Sequence, residues 1–86
     1  MSKVSHQERI ERELARLLKQ RRESLGLSKV VTAQRAGLAV MTIFFVEELK
    51  RCPSINTLLR IAAALEVDLW QMLRDATSAA QHAKKS

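Results

Sequence analysis

Apolar residues recur at helical spacing through most of the chain, and short punctuation marks divide them into five runs. Ile10, Leu14, Leu17, Leu18 and Leu25 form an inward stripe on a first helix. Ser5-His6-Gln7-Glu8 reads as a capping box at its start, and the helix runs to about Leu25. Ser28 is a suitable N-cap for a helix of about two turns over Lys29 to Ala36, which Gly37 ends by taking the left-handed conformation. Ala33 and Ala36 give that helix a small-residue face against which a third helix can cross closely. The third helix runs from Ala39 or Val40 to Glu48, with Ile43 and Val46 inward. Pro53 keeps Cys52 extended, and Ser54 caps a fourth helix whose Leu58, Leu59, Ile61, Ala62 and Leu65 face the core. Asp68 with Gln71 predicts a second capping box, opening a fifth helix through Leu69, Trp70, Met72 and Leu73. From about Thr77 the residues are small, polar or basic and are expected to fray.

No run alternates apolar and polar residues for long enough to suggest a strand, so the expected class is all-α, a compact five-helix domain. A chain of 86 residues has room for one small core and little for a substrate cleft. The expected division is one domain over residues 1–78, with its central helix pair at about 28–48, and a flexible basic tail over 79–86.

Several positions occur together in one register: Arg22, Gly26-Leu27-Ser28, Ala33, Ala36-Gly37-Leu38, Ile43, Phe45-Val46-Glu47, Pro53-Ser54 and Thr57-Leu58-Leu59-Arg60-Ile61-Ala62. In this the chain resembles the lambda-repressor-like (XRE or Cro type) helix-turn-helix family over roughly Leu14 to Leu73. The resemblance implies a fold whose third helix enters the major groove of DNA. It also implies a partly buried ion pair between Arg22 and Glu47. It is less specific for function than for fold.

The third helix departs from that family where function is concerned. At about 100° per residue, Ala39, Thr42, Ile43 and Val46 fall on one side, and Val40, Met41, Phe44, Phe45 and Glu48 on the other. The outer arc of the family typically carries Gln, Arg, Ser, Asn or Lys. Base edges are told apart chiefly by hydrogen-bond donors and acceptors, which Val and Phe lack and Met offers only as a weak thioether acceptor. Glu48 would bring a carboxylate toward phosphates. Ala39 stands where a Ser or Thr cap is usual, Thr32 where a core Leu is preferred, and Leu49 where a small or polar residue is common.

Val30, Val31, Val40, Met41, Phe44 and Leu49 are therefore expected to form an apolar surface, with Phe45 largely in the core. The reading is a protein-interaction module that binds another copy or a different protein through the third helix and the start of the second. Its contact residues would be Val30, Val31, Val40, Met41, Phe44, Phe45, Glu48 and Leu49. The density of surface departures against well-kept core positions also resembles a redesigned, engineered interface. A competing reading has Phe44 and Met41 covering the core or packing beneath a chain end. The alternative function is a sequence-specific, commonly dimeric regulator of double-stranded DNA, with Lys29, Thr42, Lys50 and Arg51 available to phosphates.

Charge bears on both readings. The net charge is +6, from 15 basic and 9 acidic side chains, which favours polyanionic partners. The excess lies in the first helix (Arg9, Arg12, Arg16, Lys19, Arg21, Arg22) and at Lys84 and Lys85, while Ala39 to Val46 carries no charge. Bases on the first helix can pair with Glu8, Glu11, Glu13 or Glu23, which favours a solvated face there. Cys52 is the lone cysteine and His6 and His82 lie near opposite ends, so neither an internal disulfide nor a metal site is expected. No set of residues suggests an enzyme or a cofactor, and no small-molecule substrate is expected. The apolar runs fall short of the roughly 18 to 20 residues of a membrane span, so a cytoplasmic setting is expected.

Overall fold

Five α-helices account for the elements among the residues described in the computed structural model, which are 5–50 and 53–84: α1 (His6–Ser24), α2 (Lys29–Ala36), α3 (Val40–Glu47), α4 (Ile55–Ala64) and α5 (Leu69–Lys84). The class is all-α, and among the described residues there is no strand.

The N-terminal signals act as read. At α1 the Ser5 hydroxyl accepts the Glu8 amide at 3.1 Å while the Glu8 carboxylate accepts the Ser5 amide at 3.0 Å. Ser28 and Ser54 accept the amides of Val31 and Thr57, both at 3.1 Å. Each cap satisfies one of the orphan donors of a first turn.

Helix ends share one device. After α1, α2, α3 and α4 the chain enters the left-handed region, and the next amide reaches back to a carbonyl in the last turn. Gly26 (φ 70°) and Gly37 (φ 69°) do this without strain, but Leu49 (φ 56°) and Glu66 (φ 58°) pay the Cβ penalty. The Glu66 side chain is exposed, so Glu66→Gly isolates that penalty. We expect a gain of about 0.5–1 kcal/mol, read as a higher midpoint in urea unfolding with an unchanged slope. An unaltered midpoint would mean that the backbone there is relaxed.

The core gathers Leu14 and Leu18 of α1, Ala33 of α2, Ile43 and Val46 of α3, Leu58, Ile61 and Ala62 of α4, Leu65, and Leu69, Met72 and Ala76 of α5. Thr32 is also fully buried, where an apolar side chain would be expected. Its hydroxyl donates to the Ser28 carbonyl at 2.9 Å, which removes the cost of burying it.

Three expectations fail, each for a local reason. Leu59 lies in solvent rather than the core. Leu58, Ile61, Ala62 and Leu65 already form the stripe, and Leu59 falls about 100° to its side. Asp68 does not form a capping box with Gln71. Its carboxylate accepts the Trp70 amide at 3.0 Å, and the Gln71 side chain instead donates to Asp75 at 3.2 Å. Finally, α5 does not fray at Thr77 but continues to Lys84. Ala76 and Ala80 are fully buried one turn apart, and α5 packs along α1 more extensively than any other pair of helices packs. Small residues let the two backbones approach, so packing adds to the good helix propensity of Ala79, Ala80, Gln81, Ala83 and Lys84.

Candidate interaction surface

The surface is built from α2, the turn at Gly37 to Ala39, and α3. The axes of α2 and α3 bend by 112°. Gly37 makes the bend, because a Cβ there would combine a positive φ with a 3.2 Å approach to the Arg60 guanidinium of α4. The next helix starts weakly: Ala39 offers no side-chain cap, an omission that costs about 1 kcal/mol.

What holds α3 in place is an ion pair. Arg22 of α1 donates from Nε to Glu47 Oε2 at 2.6 Å and from Nη2 to Oε1 at 3.1 Å, while Nη1 donates to the Leu27 carbonyl at 2.8 Å. The side chains are only 9% and 4% exposed. The hydrogen bond to Glu47 raises the Arg22 pKa above its ordinary value, against the opposing effect of burial. A two-pronged contact between planar groups sets an orientation as well as a distance, so this pair fixes the last turn of α3 on α1.

With Ile43 and Val46 facing inward, the opposite side of α3 opens to solvent. Met41 is 51% exposed and Phe44 38%, and Val40 is similarly open. Phe45 is half-buried, and its ring meets that of Phe44 edge to face at a centroid distance of 5.9 Å. On α2, Val30 and Val31 are exposed. Glu48, also exposed, ends α3.

Leu49 departs from this group. It is partly exposed, but it lines a groove with Ile10 and Leu14 of α1, Val46, Pro53, Leu58 of α4 and Leu73 of α5. No residue of α2 lines that groove, so the left-handed turn at Leu49 carries its side chain toward α1 and α4.

Of the residues expected to meet phosphates, Lys29 and Thr42 are half-buried on α2 and α3, and Lys50 is exposed just past α3. Arg51 lies outside the described residues, as does Cys52. Sequence reasoning missed three exposed apolar side chains away from α3: Ile55 and Leu59 on α4 and Trp70 on α5. A helical wheel drawn on the buried stripe alone would have found Leu59. Trp70, in the first turn of α5, gives no such signal, because aromatic residues are usually taken as core.

Among the described residues no single helix is long and apolar enough to cross a membrane. Residues 18–69 match the family model described as helix-turn-helix. A search of curated proteins found no match to the chain.

Proposed function

Because the chain belongs to the lambda-repressor-like helix-turn-helix family, a scaffold of regulatory domains that typically bind DNA, we propose that it uses that scaffold to bind protein. The partner, a second copy or a different protein, contacts the outer side of α3 and the start of α2. Val30, Val31, Val40, Met41 and Phe44 supply the apolar area, with Phe45 supporting Phe44. Glu48, Lys29 and Lys50 lie at the rim and set orientation. Leu49 belongs to the groove beneath and not to this contact.

One observation carries the reading: the helix placed where a DNA reader sits has an exposed side that is apolar and uncharged from Val40 to Val46. Large apolar patches on a folded domain mark interaction sites, whereas nucleobase edges call for donors and acceptors. The energies are compatible with association of moderate strength. Burying three or four such side chains contributes roughly 6–10 kcal/mol gross. Loss of translational and rotational freedom costs about 4–15 kcal/mol.

Light scattering over a wide concentration range tests the self-associating form, and the mass is expected to rise with concentration. A strict monomer that captures no protein counts against the reading. The family membership and the flanking Lys29 and Lys50 favour the second reading, sequence-specific binding to double-stranded DNA. A gel-shift series separates the two. A regulator retains a preferred sequence against competitor DNA at moderate salt, while residual basic attraction fades as salt rises.

A further inference from the structure

The ends of α3 leave its dipole uncompensated. Of the five helices described it alone starts without a side-chain acceptor for its first-turn amides, and it has no acidic residue in its first turn and no basic residue in its last. By contrast, Ser5 and Glu8 serve the start of α1, and Arg21 and Arg22 its end. The partial positive charge at a helix start favours a carboxylate, and the partial negative charge at its end favours a cation. Glu48 therefore stands at the unfavourable end. Glu47 is held by Arg22, whereas Glu48 is exposed and makes no ion pair among the described residues. The chain turns at Leu49, and the Lys50 amide reaches back to the Phe45 carbonyl at 2.9 Å, so Glu48 is the last charge in line with the helix.

This charge shares an arc with the apolar face. With Phe44 as origin and about 100° per residue, Val40, Met41 and Glu48 fall within about 60° to either side. Val40, Phe44 and Glu48 form one row about 12 Å long, with Phe44 at its middle. Such a row complements itself. Turned end for end about Phe44, a second α3 sets apolar against apolar and brings its own Glu48 level with Val40, at the uncapped start.

Resting on the reading of α3 as a protein contact, we infer that its partner is a second copy of this chain, with the two α3 helices antiparallel about a two-fold axis at Phe44. The Glu48 of each copy faces the start of the other's α3, so the contact is made twice. The opposed dipoles add to the match. This arrangement covers both third helices, whereas a two-fold dimer on a palindromic site leaves both open to DNA.

Analytical ultracentrifugation of the wild type and four variants tests the pairing. The wild-type chain is expected to dimerise, and Met41→Arg to weaken the dimer, as any contact through α3 requires. Glu48→Lys sets a cation against each helix start and weakens the dimer about 10-fold or more at low salt. Ala39→Asp gives each start its own carboxylate, which repels the Glu48 of the other copy and weakens the dimer about 3-fold or more. Both changes suit an isolated α3, so the melting temperature of the dilute monomer rises while association falls. In Ala39→Asp/Glu48→Lys a carboxylate meets an ammonium across the interface, and affinity returns to within about 3-fold of wild type. Within one chain the two positions lie about 13 Å apart along the helix, so the rescue requires antiparallel copies.

A wild-type chain that stays monomeric to about 1 mM overturns the pairing but not a contact with a different protein. A dimer that Met41→Arg dissociates and the double variant does not rescue keeps α3 as the contact and overturns the antiparallel arrangement. A dimer indifferent to Met41→Arg overturns both, since another surface then holds it.

Discussion

Glu47→Ala lowers the free energy of unfolding by about 3–5 kcal/mol. The attraction between the two charges is not by itself the reason. Taking Arg22 and Glu47 out of water costs nearly what their pairing returns, so the pair contributes little net stability beside a well-packed apolar substitute. Removing one member is different. The Arg22 guanidinium, 9% exposed beside Glu47, would keep the Leu27 carbonyl at Nη1 and the distant, exposed Glu23 carboxylate 4.0 Å from Nη2, with no hydrogen-bond acceptor left at Nε. For a domain stabilised by about 5–15 kcal/mol this is a large share.

Urea unfolding measures the loss, and a double-mutant cycle identifies its origin. Arg22→Met in the Glu47→Ala background should recover stability, because no stranded charge remains. A loss below about 1 kcal/mol for Glu47→Ala would place the pair in water-like surroundings. The sign of the pH dependence follows from the raised Arg22 pKa. A raised folded-state value gives stability that is complete below the unfolded value and fades only as pH climbs through the folded one. The arginine side of the pair therefore contributes no pH dependence between neutral and moderately alkaline solution.

Met41→Arg is expected to weaken the association proposed for α3 by about 30-fold or more, as judged by light scattering or by titration with the partner. Met41 is half-exposed and central on the outer side, so binding would have to desolvate a guanidinium where an apolar thioether had been. A penalty of about 2 kcal/mol or more is usual when a central anchor is lost. The value of this substitution lies in its sign. If the outer side of α3 instead lay in a major groove, a new arginine would add a phosphate or guanine contact and strengthen binding by about 1–3 kcal/mol. One variant therefore moves in opposite directions under the two readings. Because Met41 is not part of the core, stability should change little, and a thermal melt distinguishes lost affinity from lost fold.

The order of all five helices, the approximate limits of the first four, the caps at Ser5, Ser28 and Ser54, and the turns at Gly26 and Gly37 were legible in the sequence. Each depends on atoms within about one helical turn of one another, so the residues that decide it lie side by side in the chain. The apolar composition of α3 was legible for the same reason, as was the inward placement of Ile43 and Val46, which periodicity dictates. The Arg22 and Glu47 contact was legible only through family resemblance, since 25 residues separate the partners.

Tertiary packing decided the rest. Thr77 to Lys84 has a tail-like composition, yet α1 presents a surface on which Ala76 and Ala80 can be buried, and that burial adds to the helix propensity of the segment. Leu49 reads as one more apolar side chain beside Phe44 until a left-handed turn directs it to the groove between α1 and α4. Hydrogen bonds and backbone angles within a turn are fixed by residue type, whereas burial and charge pairing are contested by groups distant in sequence, and only the folded arrangement shows which group prevails.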